Sequence, residues 1–570
     1  MTAGAGAGGG AGAGAGAGTG AAAGGGAGAA VDPADGPARP QATDATESEA
    51  RPGPPPAADA VALTPTTRRG RRPGWAVEAG GLLACLVLAT LAWDAYARST
   101  GNVPDAGAVF ERARLVVQEG DLGADLLPTA RAVVVALLGG AVVGCAVGAA
   151  LWRWPRLGLA AEPFLVAGMS VPLVLFYPAL FVVLGINERP IMILAGVMAS
   201  IPCALSTWVG LGSVPAVQLK LADTLGLSRA ARLVRVAAPS AAPHIVAGLR
   251  LAAVYVVVGV IAMEFVAAPS GLGFRIRYLY EIFDDTGMYA YIAIVFVLAV
   301  AMAGVLAALE LLVAAHRARP RGVAEPPPDA PRPGARGLAA IAAVLVAAWW
   351  VVGAVNLVVP TPPATAAALV RLFGDAEFRT NLTATAGKVV VAALLGTALG
   401  AAAGFALGRV TLLRRLLQAY LDALNAVPKL VLYPALVGIL GFGPDAQVAM
   451  GALFAFFPVM INVSVGAQAV PPVLDDLART LELGRARRLA TVVVPAIRRP
   501  LVVGCRLGTS LAVIGVVVSE IVATRSGLGR VVMRTYGQGQ YEEMMAVILV
   551  MVALASLLAL GLRALERRIH

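Results

Sequence analysis

From Trp75 onward the chain alternates long apolar runs with short polar breaks. Apolar runs lie at 75–97, 130–152, 162–185, 190–212, 244–268 and 286–315. They recur at 337–359, 383–407, 416–440, 446–468, 500–523 and 544–565. A helix needs ~20 apolar residues to cross a bilayer core. Backbone groups in that core must find partners within the protein, which helices of this length provide. The pattern predicts an all-α membrane protein with about 12 transmembrane helices. Residues 1–73 break it. Gly and Ala dominate to Ala30, then Pro, Asp and Ala to Ala62. With almost no apolar side chains to bury, this segment is expected to be a disordered cytoplasmic leader. It ends in Arg68, Arg69, Arg71 and Arg72. The run after them is long enough to span and shows no convincing cleavage site, so it reads as an uncleaved first span.

Composition agrees. The 570 residues are 58% hydrophobic and only 14% charged, with mean hydropathy +0.78. Ordinary globular domains carry about 25% charged residues. Soluble enzymes, fibres and disulfide scaffolds are excluded. The net charge of +11 does not point to nucleic acid, because the basic residues sit at the ends of apolar runs. Arg153, Arg156, the 213–243 segment, Arg414, Arg415, the 469–499 segment, Arg567 and Arg568 fall on one side. By the positive-inside rule both termini are cytoplasmic. Cys85, Cys145, Cys203 and Cys505 all lie inside apolar runs without metal-ligand spacing, so no metal site is expected.

The chain is one unit written twice. Ser-Gly-Leu-Gly occurs at Ser270–Gly273 and at Ser526–Gly529, an offset of 256. The same offset pairs Pro172 with Pro428, Tyr177 with Tyr433, Pro178 with Pro434 and Gly248 with Gly504. It also pairs Arg250 with Arg506, Glu264 with Glu520 and Glu310 with Glu566. Repeat 1 is assigned to 74–318, a cytoplasmic linker to 319–336 and repeat 2 to 337–570. Six spans per repeat is an even number, so the repeats are parallel, related by an axis along the membrane normal.

Between the fourth and fifth spans of each repeat lies a longer polar segment, Pro215–Pro239 and Pro471–Pro495. Apolar residues recur there at helical spacing, which predicts a short helix, a break and a second short helix on the inner surface. These segments resemble the cytoplasmic loop of permeases of ATP-binding-cassette importers. That pattern is Glu-Ala-Ala, three residues, Gly, nine residues, then Ile-x-Leu-Pro. The first repeat matches as Lys220-Leu221-Ala222, Gly226 and Val236 to Pro239. The second matches as Asp476-Leu477-Ala478, Glu482 and Val492 to Pro495. Lys220 departs from the acid and Glu482 from the glycine. The Tyr-Pro-Ala-Leu runs, the Arg-Leu entry to each fifth span, its glutamate and the following Ser-Gly-Leu-Gly resemble the nitrate/sulfonate/taurine subfamily, with two units fused in tandem.

The resemblance implies type I importer transmembrane domains and a translocation pathway for a small solute, an anion such as a sulfonate, taurine or nitrate. It implies coupling helices that dock on a cytoplasmic ATPase, present as two copies or a pair. ATP and Mg belong to that partner, and this chain binds no cofactor. A solute-binding protein delivers the substrate from outside, at the plasma membrane of a bacterium. Lys220, Leu221, Ala222, Asp223, Leu225, Gly226 and Pro239, with Asp476, Leu477, Ala478, Arg479, Leu481, Glu482 and Pro495, are the expected coupling residues. As a permease component the chain is not expected to be an enzyme: it has no GxxxxGK[ST] loop with which to hydrolyse ATP itself, and its only Gly-Lys pair is Gly387-Lys388, in an apolar run. A ferric-iron-type fused permease and a major-facilitator-like carrier are the alternatives.

Lys220 with Asp223, and Asp476 with Arg479, stand three apart and could pair on one helix face, or mark different ATPase faces. Glu264 and Glu520 lie within spans, where ionisable groups are costly. They could snorkel, touch substrate, or accept two backbone amides from the loops Ser270, Gly271, Gly273 and Ser526, Gly527, Gly529, holding an outer gate. Pro172, Pro178, Pro428 and Pro434 are expected to kink the third spans, and Gly144, Gly148, Gly400 and Gly404 to form close helix contacts.

Overall fold

Each repeat builds its helices at the same register. The computed structural model describes residues 75–170, 173–314, 334–356, 359–470, 472–522 and 526–569. The leader, Pro172 and most of the linker lie outside these residues. Repeat 1 contains α1 (Trp75–Thr100), α2 (Ala106–Gln118), α3 (Asp121–Arg153), α4 (Pro155–Ser170) and α5 (Tyr177–Leu184). It continues with α6 (Glu188–Gly212), α7 (Ala216–Thr224), α8 (Arg229–Arg232), α9 (Ala238–Ala267), α10 (Leu272–Glu281) and α11 (Asp285–Ala314). Repeat 2 contains α12 (Ala335–Val355), α13 (Pro362–Gly374), α14 (Ala376–Arg409), α15 (Thr411–Ala426) and α16 (Tyr433–Leu440). It closes with α17 (Pro444–Gln468), α18 (Pro472–Thr480), α19 (Arg485–Arg488), α20 (Val494–Val522), α21 (Leu528–Gly537) and α22 (Tyr541–Ile569). From α2 and α13 onward, nearly every boundary recurs 256 residues later. No strand occurs among the described residues.

Among the described residues, nine helices are long and apolar enough to cross a membrane. The other three expected spans are α1 and the two third spans, which are broken. In repeat 1, α4 and the Leu173–Leu184 segment meet at 82°. In repeat 2, α15 ends before Pro428, and Val427 is extended with ψ 137°. A residue before proline is pushed out of the helical region. A 3₁₀ turn, Lys429–Leu432, then leads into α16. Pro178 and Pro434 do not kink anything. They occupy the first turns of α5 and α16, where no amide donor is needed. The apolar-run reading also missed α2 and α13, which are short and amphipathic.

Glycines set the tightest packing. Gly140, Gly144 and Gly148 of α3 lie on α6, where an added Cβ would meet the carbonyls of Gly196, Ser200 and Ala204. Gly396, Gly400 and Gly404 of α14 lie the same way on α17. Small residues four apart let backbones approach, the standard contact of membrane helices. The repeats interlock: α1 packs on α15, and α12 on α4. The indole N–H of Trp93 donates to the Pro104 carbonyl at 2.9 Å, and that of Trp349 to the Pro360 carbonyl at 3.0 Å. These bonds tie the end of each repeat's first helix to the following turn.

Candidate functional site

Glu264 sits 26 residues past Ala238 on α9, roughly 39 Å along the axis from the α7 end. It is 2% exposed, so it does not snorkel. Its Oε2 accepts the Gly273 N–H at 3.0 Å and the Thr129 hydroxyl at 2.9 Å. That hydroxyl in turn accepts the Leu272 N–H at 2.9 Å. The expected pair of direct amide bonds is therefore one amide and one hydroxyl, because Thr129 of α3 intercepts the second amide. Gly271 has φ +106°, and a Cβ there would run into the Glu264 carboxylate. Ser270 stands half-buried at the start of this loop.

Repeat 2 keeps the frame and changes the charge. Glu520, 1% exposed, accepts the Thr385 hydroxyl at 2.9 Å and the Gly529 N–H at 3.0 Å. Thr385 accepts the Leu528 N–H at 2.8 Å, and Asn381 Oδ1 accepts the Gly527 N–H at 2.7 Å. Lys388 Nζ is 2.6 Å from Glu520 Oε1. It also donates to Gln447 Oε1 at 2.7 Å and to the Ser526 carbonyl at 3.0 Å. A buried pair of this kind holds only when its remaining donors are satisfied, and Gln447 and Ser526 satisfy them. In repeat 1 the positions of Lys388 and Gln447 hold Ala132 and Ile191, both buried. There Asp125 replaces Asn381; it accepts the Tyr291 hydroxyl at 2.6 Å and lies 3.6 Å from Arg275 Nε.

At the other end, α7 and α18 are anchored by Ala222 and Ala478, each 1% exposed. Val217, Leu221 and Leu225 are exposed, as are Val473, Leu477 and Leu481. These triads are spaced by four, so each forms one stripe. Gly226 ends α7 at φ +67°, with Leu227 N–H donating to the Ala222 carbonyl at 3.1 Å. Glu482 makes the same left-handed turn at φ +47°, with Leu483 N–H on the Ala478 carbonyl at 3.0 Å. The motif's glycine is thus replaced without loss of the turn.

Lys220 is exposed and does not pair with Asp223. Arg232 of α8 reaches back to Asp223 at 2.6 Å. Asp476 and Arg479 do pair, at 3.3 Å. The expected second surface helix is also absent as a separate element. α8 runs through a π-helical stretch, Leu233–Ala237, into α9, and α19 does so through Leu489–Val493 into α20. Pro239 and Pro495 lie in the first turns after these stretches, where the wider turn accommodates a residue without a donor.

Between the repeats, at mid-length of the spans, is a cavity of about 90 Å³. Leu173, Ile201 and Tyr255 line it from repeat 1, and Leu430, Phe454 and Leu511 from repeat 2. Sequence reasoning missed Thr129, Thr385, Asn381 and Lys388. Thr129 and Thr385 share the 256 offset, and a lysine inside an apolar run is a functional signal by default.

Two segments, 128–321 and 395–570, match the binding-protein-dependent transport system inner membrane component family, and together they cover more than half of the chain. The chain belongs to this family. It is a multi-pass permease component of an ATP-binding-cassette importer, a transport protein rather than an enzyme, with two family units in tandem. The permease is 30% identical over 231 residues to a Bacillus subtilis protein described as an aliphatic sulfonates transport permease. That match spans 84% of the relative and 40% of the permease. It is 28% identical to the taurine transport system permease of Escherichia coli, over 86% of that protein and 40% of this one. It is 27% identical to a nitrate import permease of Leptolyngbya laminosa, over 61% of that protein and 30% of this one. Membership sets the major-facilitator alternative aside.

Proposed function

We propose that the permease forms the translocation pathway for a small anion of the sulfonate, taurine or nitrate class. A separate ATPase docks on α7 and α18, and a solute-binding protein delivers the anion at the Glu264 and Glu520 end. The relatives named for sulfonates, taurine and nitrate support the substrate class. The observation that carries the coupling role is the matched pair of exposed apolar stripes, Val217/Leu221/Leu225 and Val473/Leu477/Leu481. A helix presenting such a stripe is suited to a groove on a partner. The α8–α9 and α19–α20 continuities give a rigid route from those helices to the glutamates. Closure of an ATPase dimer then rocks the two repeats about their common axis, and the loops at Gly271 and Gly527 act as the outer gate. In this reading the protein lies in a bacterial plasma membrane, with both termini and the ATPase sites on the cytoplasmic side.

The test is co-purification. Leu225→Asp combined with Leu481→Asp is expected to leave the chain folded in the membrane and to abolish retention of the co-expressed ATPase. Retention at the parental level sinks the docking assignment. Uptake assays with taurine, methanesulfonate and nitrate test the substrate class.

A further inference from the structure

Lys429 breaks the repeat. It stands at the bend of the third span in repeat 2, at the start of the 3₁₀ turn Lys429–Leu432. Its Nζ donates to the Asn425 carbonyl at 3.1 Å and to Asn425 Oδ1 at 3.2 Å. It lies over the Phe457 ring, 4.9 Å from the centroid, and 5.9 Å from that of Phe454. Among the described residues no carboxylate pairs with it. A cation within a membrane-spanning element and without a counter-charge is costly, and by default marks a ligand path.

The internal symmetry says which path. The 256 offset maps Lys429, Phe454 and Phe457 onto Leu173, Met198 and Ile201. All three of those repeat 1 residues line the cavity between the repeats. In repeat 2, Phe454 and the neighbouring Leu430 line it. Repeat 1 thus gives the cavity an apolar trio, and the matching trio of repeat 2 is an ammonium held on two aromatic rings, of which only Phe454 reaches the cavity. Phe454 both lines the cavity and lies with its ring centroid 5.9 Å from the ammonium.

We propose that Lys429 is the counter-charge an anionic solute meets at mid-membrane. The ammonium rests on Asn425 and the Phe454 and Phe457 faces, a cation–π arrangement that is weaker than a charge-assisted bond to an anion. An arriving sulfonate or nitrate oxygen accepts an N–H from Nζ, and the ammonium moves past Phe454 toward the axis. The site is one-sided, with Lys429 in repeat 2 matched by Leu173 in repeat 1, where two symmetric lysines would repel each other across a narrow cavity. This inference rests on the anion reading above.

The experiment uses the full chain with its ATPase and solute-binding protein in proteoliposomes, with taurine, methanesulfonate and nitrate as probes. The parent is expected to accumulate at least one of them. Lys429→Gln is expected to lower that uptake about tenfold or more, as loss of a desolvated charge contact does, while Lys429→Arg retains most of it. Leu173→Lys with Lys429→Leu, which moves the cation to the opposite wall, is expected to recover part of the loss. Parental uptake by Lys429→Gln overturns the inference and leaves the anion reading standing; Lys429 then merely caps the end of α15. A parent that accumulates none of the three anions overturns the anion reading and this inference with it. If Lys429→Gln fails to retain the ATPase, the Leu173→Lys, Lys429→Leu variant decides. Assembly without recovered uptake counts against the proposal.

Discussion

Lys388 and Glu520 form an ion pair at 2.6 Å with 9% and 0% of their side chains exposed, while the residue matching Lys388 beside Glu264 is Ala132. Two loops of identical frame are thus held by different electrostatics. Removing one member of a buried pair leaves the other charged and unpaired, at about 3–5 kcal/mol. Lys388→Met is therefore expected to lower the thermal unfolding midpoint of the detergent-solubilised chain. Lys388→Met with Glu520→Gln is expected to recover much of that loss. Equal destabilisation by the single and double variants sinks the pairing argument.

Glu482 occupies a left-handed turn at φ +47° where repeat 1 has Gly226 at φ +67°. A side chain in that region costs roughly 1–2 kcal/mol. Glu482→Gly is expected to raise the unfolding midpoint, and Gly226→Ala to lower it. The turn is built from main-chain bonds that glycine makes equally well, so ATPase retention should survive Glu482→Gly. A fall in stability with Glu482→Gly shows that the Glu482 side chain has a partner role that outweighs its strain.

Much of this architecture was legible in the sequence because the bilayer imposes a simple code. Apolar runs of fixed length give spans, and the offset of 256 recurs in the helix boundaries. What failed was legible only through tertiary contacts. The third spans look continuous by hydropathy, yet proline geometry and the 82° bend divide them. Asp223 was matched with Lys220 by helical spacing, but Arg232 approaches from the next helix. The glutamates stood out as charges in apolar runs. Thr129 and Thr385 did not, since a threonine within a span satisfies itself as readily on its own helix, and only the fold brings α3 and α14 onto the loops.

The glycine stripes give an internal control. Gly144 faces the Ser200 carbonyl and Cys203 on α6, whereas Gly139, on the same helix, has nothing within 4 Å of an added Cβ. Overpacking a tight contact costs typically ~1–3 kcal/mol. Gly144→Val is expected to reduce folded yield by size-exclusion chromatography, and Gly139→Val to leave it near the parental level. Equal effects of the two would locate the cost in helix propensity rather than in packing.

The proposed gate predicts an asymmetric response. Glu264→Gln keeps one acceptor oxygen for the Gly273 amide at a carboxyl that has no cation beside it among the described residues. Glu520→Gln keeps the same acceptor for Gly529 but strands Lys388, whose other partners are the neutral Gln447 and the Ser526 carbonyl. Thr129→Val and Thr385→Val each orphan one loop amide, Leu272 or Leu528, at about 1–3 kcal/mol. If these loops gate the pathway, loosening them lets the outer side open without the solute-binding protein. Basal ATP hydrolysis by the assembled transporter is therefore expected to rise, and its stimulation by the binding protein to fall. The order should be Glu520→Gln above Thr385→Val and Thr129→Val, with Glu264→Gln least. ATPase retention reports whether each variant still assembles. Variants that assemble, hydrolyse and transport like the parent would reduce the glutamates to structural staples. A change confined to substrate affinity would place them in the binding site and remove the gate from the loops.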